Sequence, residues 1–428
     1  MRVRRCTTLW CEPREVADFD LGGLLAGGTG VVARMQWFAR GGHLDAPVPV
    51  DAGDLALLCG IGPTEWTDAA SLRARHGAAR LRRLLAAGLL VGDTRTWLAQ
   101  RTRDERYRAL HWHGLASAWH AASRWEGVDA PAGVEEAGVR TSTDLRTLHG
   151  APPPVATDRG PPEERIALRR ARRDHLDELL DARATCRNFD PSKPLPLAAL
   201  AQVLERSLGA RGKVRAAQDF DVFKRTSPSG GGLHPTETYV LAQHVRGLPR
   251  GLYHYRPGDH ALQPLPLPAS QPAVGAGAAA TGAHGGGDAL ARLARLAVGG
   301  QAWFAQAHAL VVLAPRFGRN FWKYRNHPKA YRVAILDVGH LSQTLQVAAT
   351  ALGLGSFVTA AINEVDIERA LGLAGFEESP MAVCGVGIRG DAMATSELDP
   401  NGKVWPRGRG ATGGGASGRR ASRRPERR

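Results

Sequence analysis

The chain has 428 residues, 43% of them hydrophobic, and a formal net charge of +15. That size and apolar content allow one or two buried cores and exclude a disordered or fibrous chain. Five scattered cysteines without a CxxC pair exclude a disulfide framework and a cysteine zinc site, and no stretch approaches the ~20 apolar residues of a membrane span. The start "MRVRR" runs into polar sequence with no apolar core segment, so the expected location is a reducing cytoplasm.

Residues 1–148 read as an N-terminal module. "SLRARHGAARLRRLLAAGLLVGD" has Leu72, Leu81, Leu84 and Leu85 on one helical face, and "GLLVGDTRTWLAQ" after it can form a small hairpin. Helices followed by a hairpin suggest a winged-helix-like unit. Its arginines Arg73, Arg75, Arg80, Arg82 and Arg83 would suit DNA, but such a run is more simply a solvated face, and no nucleic-acid partner is expected. His111, His113 and His120 stand among tryptophans in "LHWHGLASAWHAASRW"; without a spaced carboxylate or cysteine set they read as aromatic packing, and no metal is expected.

"HGAPPPVATDRGPPEE", residues 149–164, is a proline-rich linker. A larger module follows over 165–395. It opens with a helix in "EERIALRRARRDHLDELLD", then "ARATCRNFD", then a second helix in "LPLAALAQVLERSL". In "RATCRNF" the side chains of Arg183, Thr185 and Arg187 fall on one face if the segment is extended, so two guanidiniums and a hydroxyl converge as a phosphate clamp. The plain alternative is two surface arginines. "PSGGG" then precedes the strand "ETYVLAQHV". Three glycines cost backbone entropy on ordering, which makes sense where something approaches their backbone closely.

"GLYHYRPGDHALQPLP" reads as a strand and turn, "AGAAATGAHGGG" (276–287) as a flexible loop, and "AHALVVLAPRF" as a buried strand. Lys323 and Tyr324 stand just before a long helix, "YRVAILDVGHLSQTLQVAATALGLG", on which Asp337 and His340 should share a face in a supporting role. A strand "SFVTAAI", a helix "EVDIERALGL" and a strand "PMAVCGVGI" complete the module. Helices and strands interleave without a regular βαβ period, which implies an α+β sheet with packed helices. Residues 396–428 read as a basic disordered tail: from Asn401 onward nine basic residues and one acid give +8 of the total charge.

The order R-x-[ST]-x-R, P-S-x-G-x-x-H-P, G-x-Y-x-Y, K-Y…Y-R…L-D-x-G-H and G-L-G, over about 175–390, resembles the nitroreductase superfamily. More narrowly it resembles the SagB-type, thiazole/oxazole-forming peptide dehydrogenases, and the N-terminal region is similar to their usual extension. The resemblance implies a mixed, mainly antiparallel sheet flanked by helices and FMN at a homodimer interface. Arg183, Thr185 and Arg187 would hold the phosphate end. Pro228, Ser229, Gly230 and Gly231 would approach the ring, the glycines leaving room for its edge, while Gly385, Gly387 and Arg389 would lie near the phosphate. It also implies oxidation of azolines to azoles on a modified precursor peptide, beside a cyclodehydratase partner, with hydride passing to the flavin and a proton to a base. Lys323 is the expected base and Tyr324 its orienting or relaying neighbour; by itself Lys323 reads as a surface lysine. Two other functions stay open: an NAD(P)H-dependent nitro- or quinone-reductase, and a flavin-binding scaffold without turnover.

Overall fold

The computed structural model describes residues 1–267 and 288–406. The glycine-rich stretch 276–287 and the chain beyond residue 406 lie outside the described residues.

The larger module is built on a six-stranded sheet in the order Ala261–Leu265, Gly251–Arg256, Thr236–Ala242, Ala309–Pro315, Ala382–Gly387, Gly355–Thr359. Every neighbouring pair is antiparallel. Ala309–Pro315 is buried along its whole length, as its unbroken apolar run requires. Alternate residues serve two cores. Val240, Val311 and Leu313 pack with Leu200, Leu204, Leu341 and Leu345 of the helices Leu197–Leu208 and Pro328–Thr350. Tyr239, Leu241, Leu310 and Val312 meet Leu290, Ala294, Phe304 and Phe357 on the opposite face. Each buried valine, leucine or phenylalanine among them stabilises the fold by roughly 1.5–3 kcal/mol. The long helix starts where His327 accepts from the Lys329 amide and Pro328 takes the first turn, and it stops before Gly353 at φ +68°.

The N-terminal module is a separate sheet-and-helix unit. Arg2–Arg5 pairs with Thr67–Asp68 and Leu90–Gly92, and three helices within Ala52–Ala86 cover this small sheet. The single helix expected over 71–93 breaks at Gly77, φ +86°, into Ala69–His76 and Ala78–Ala86. The hairpin expected after it does not form. Leu90–Gly92 pairs with the chain's first strand instead, and the helix Leu98–Ala109 follows. A ribbon of two 11-residue strands, Leu9–Phe19 and Val31–Gly41, had no sequence expectation.

Residues beyond this unit lie against the larger module. Tyr107 and Trp112 pack with Phe317, Phe321 and Tyr331. His120 is buried, stacks on Trp112, contacts the Tyr331 hydroxyl at 3.2 Å and the Gly375 carbonyl at 2.8 Å, and burial pulls it down to about 3. In 163–181 only His175–Ala182 joins an α-helix: the Asp174 capping box starts it, after a run of arginines that repel one another. The expected tail boundary at 396 falls inside a docked segment, because Glu397 is buried against Asn188 and Arg389.

Candidate functional site

The glycine loop is ordered by its own chain. Gly231 and Gly232 have φ of +65° and +69°, a region open to glycine at little cost. The Ser229 hydroxyl donates to Asp337 Oδ2 at 2.5 Å, and the Gly230 amide donates to Oδ1 at 3.2 Å. Ser229 Oγ in turn accepts from the His234 amide at 2.9 Å. Asp337, on the long helix, is buried, which pushes its carboxyl up while the Ser229 and Gly230 bonds pull it back. The loop is therefore pinned to that helix by one carboxylate. His340, three residues further along the helix, shares a face with Asp337 as expected; its side chain is exposed, it favours the charged form of Asp337, and its carbonyl accepts from the Ser227 hydroxyl.

Lys323 ends the helix Phe317–Lys323 and Tyr324 caps it. Asn320, buried, donates to the Ala330 carbonyl and fixes this helix against the start of the long one. A Cβ on Gly231 would lie 2.7 Å from Lys323 Nζ and 2.7 Å from the Tyr324 hydroxyl, and one on Gly230 would run into Val333. So the Lys-Tyr pair and the long helix border the space beside these two glycines. Lys323 is exposed in the single chain, with Nζ 5.5 Å from the Tyr324 ring centre.

Arg183, Thr185 and Arg187 alternate with buried Ala184, Cys186 and Asn188, so the three lie on one partly exposed face. The segment runs beside Gly355–Thr359, with the Cys186 amide donating to the Ser356 carbonyl at 2.8 Å. Arg183 donates only to the Gln346 side chain, at 3.4 Å, and among the described residues it has no carboxylate partner. Arg187 is otherwise engaged, donating to the Ser396 carbonyl at 2.7 Å. A guanidinium without a counter-ion beside a hydroxyl suits a phosphate monoester.

The late glycines serve packing. A Cβ on Gly385 would strike Phe357, and one on Gly387 would strike His308 and come 2.8 Å from Phe189. Arg389 is ion-paired with Glu397, so it is not a free phosphate ligand here. Sequence reasoning missed Glu397, which accepts from the Arg187 amide (2.5 Å), the Asn188 side chain (2.8 Å) and Trp405 Nε1 (2.9 Å). It also missed how closely Asp337 holds the loop; the Ser-Gly pair facing an acid on a helix was the only hint.

Residues 180–388 match the model of the nitroreductase family. The trifolitoxin-processing protein TfxB of Rhizobium leguminosarum bv. trifolii is 31% identical over 160 residues, 37% of this chain and 38% of that protein. This chain thus spans well under half the length of that relative. The Methanocaldococcus jannaschii protein MJ1384, described as a nitroreductase, is 27% identical over 212 residues, half of this chain and 90% of that one. Among solved structures, a chain of the E. coli microcin synthetase McbBCD complex aligns with a TM-score of 0.43 and 18% identity, covering 66% of this chain and 94% of that one. Over residues 180–388, just under half of its length, the chain is similar to the nitroreductase family.

Proposed function

We propose that the chain is an FMN-dependent dehydrogenase of the SagB type, which oxidises azolines to azoles in a ribosomally made peptide. The observation that carries this reading is the meeting of Lys323 Nζ and the Tyr324 hydroxyl at Gly231, beside a loop that Asp337 pins. The similarity to a toxin-processing protein supports a role in peptide maturation. A cyclodehydrating enzyme must first make the azoline and is the expected partner.

Arg183 and Thr185 would hold the FMN phosphate, while Pro228, Ser229, Gly230 and Gly231 would border the ring. Bound FMN supplies the hydride acceptor. Lys323 Nζ takes the proton from the carbon next to the one that loses hydride, and the electron pair of that C–H bond becomes the new ring double bond. Tyr324 orients the amine.

Asp337, which holds the loop, and Gln346, which meets Arg183, are nine residues apart on one helix. That spacing is roughly 14 Å of rise and about two and a half turns, which puts the two side chains on opposite sides. Loop and clamp therefore leave opposite sides of the helix, which favours a homodimer in which one flavin meets the loop of one subunit and the clamp of the other. Exposed Ile335 and Leu336 on the same helix fit such a contact.

The test is anaerobic mixing of purified protein, expected to carry about one FMN per subunit, with an azoline-containing peptide. The flavin absorbance should bleach in a single turnover, and NADPH should not replace the peptide. Bleaching by NADPH alone would favour the nitro- or quinone-reductase reading, which the likeness to MJ1384 over 90% of that protein supports. Bleaching by neither would leave a flavin-binding scaffold.

A further inference from the structure

A cavity of about 630 Å³ opens between the N-terminal module and the larger one, with Arg40 and His43 on one wall and Arg124, Glu368 and Phe376 on the other. Five arginines line it against four carboxylates. Three of those arginines are matched: Arg103 with Asp45, Arg106 with Glu377, and Arg369 with Glu126. Arg124 and Arg40 are left with one carboxylate between them.

Arg124 pairs with Glu368, whose other oxygen accepts from the Ser379 hydroxyl at 2.6 Å. The Arg124 Nε–H is buried without an acceptor. Arg40 donates to the carbonyl oxygens of Leu44 (3.4 Å) and Asp45 (2.7 Å), and among the described residues it has no carboxylate within ion-pair distance. Burial, and then the positive charge of Arg124, make its own charge costly. His43 is buried in the same wall, and neither ring nitrogen has an aligned hydrogen-bond partner. A half-buried cation facing a second cation and unfilled donors is costly until an anion arrives.

We propose that this cleft binds a side-chain carboxylate of an acidic peptide segment, held by Arg40 and Arg124, apart from the site of oxidation. The inference rests on the peptide-maturation reading for its choice of a peptide over a free carboxylate. The cavity is large enough for a side chain with its flanking backbone. Its wall is joined to the helix bearing Lys323 through Phe376, Trp112, Phe317 and Phe321, so a docked segment would be fixed relative to the reacting residues.

The test is fluorescence anisotropy of fluorescein-labelled hexaglutamate with the full chain, without turnover. Its result is thus separate from that of azoline oxidation. Hexaglutamate should bind and hexaglutamine should not. Arg40→Gln should weaken binding by about tenfold or more, as expected for losing a charge-assisted contact. Arg82→Gln, an exposed arginine on the helix Ala78–Ala86, should bind like wild type. An unchanged melting temperature would show that Arg40→Gln folds, and Arg40→Lys should recover part of the affinity. No binding of hexaglutamate, equal weakening by Arg82→Gln, or full affinity in Arg40→Gln would overturn the site. Complete displacement by glutarate at an equal carboxylate concentration would overturn the peptide as its source.

Discussion

The glycine loop and the arginine segment 183–187 are two halves of one candidate site, and they are organised in opposite ways. The loop is finished before any ligand arrives: Asp337 holds Ser229 and Gly230, and Lys323 and Tyr324 close on Gly231. The arginine segment is only aligned. Its backbone is fixed beside Gly355–Thr359, but Arg183 points at a neutral amide 3.4 Å away and lacks a counter-ion among the described residues. The difference separates two demands. A proton acceptor has to be positioned within fractions of an ångström. A phosphate brings its own charge and can complete a clamp that stands open.

That contrast can be broken on the loop side first. Gly231→Val introduces a side chain where φ is +65° and where even a Cβ crowds Lys323 and Tyr324. Single-turnover flavin reduction should fall by about 100-fold or more, the usual scale for a misplaced catalytic group. FMN content, read from the absorbance of the desalted protein, should change far less. Equal loss of both would mean that the loop holds the cofactor more than it holds the base.

Asp337→Ala leaves the Ser229 hydroxyl and the Gly230 amide without their acceptor. It should cost about 1–3 kcal/mol in denaturant unfolding and slow the reaction through a loosened loop. On the clamp side, Arg183→Ala should weaken FMN retention by about 1.5–3 kcal/mol in equilibrium dialysis. Arg187→Ala should weaken it less, because that guanidinium already serves the Ser396 carbonyl. The reverse ranking would show that the clamp rearranges on binding.

The smallest effect belongs to the C-terminus. Removing residues 407–428 should leave melting temperature and FMN content unchanged. Removing residues from 396 onward should lower the melting temperature, since Glu397 and Trp405 dock on the module.

What the sequence made legible was local. The apolar run Ala309–Pro315, the long helix read from Tyr331 onward, and the alternation of Arg183, Thr185 and Arg187 each carry their signal within a few residues. What it hid depended on distant neighbours. Nothing near Gly385 and Gly387 in the sequence showed that Phe357, Phe189 and His308 arrive from elsewhere in the chain to pack against them. Glu397 sits in a polar stretch with no periodicity, so nothing nearby marked it as the acid that would bind Arg389. The ribbon of Leu9–Phe19 and Val31–Gly41 escaped for another reason. Its cross-strand pairs gather Phe19, Val31, Met35 and Trp37 on one face, but those side chains are exposed, and Pro13 and charged residues break up the apolar pattern.

The central claim, that Lys323 is the proton acceptor of an azoline dehydrogenase, is tested most directly by anaerobic single-turnover flavin reduction with an azoline peptide, comparing wild type and Lys323→Ala. The account predicts that the variant keeps its FMN and its dimer and loses about two to four orders of magnitude in rate, the usual worth of a positioned base. Tyr324→Phe should lose less. A Lys323→Ala rate equal to wild type would contradict the claim and leave Lys323 an ordinary surface residue.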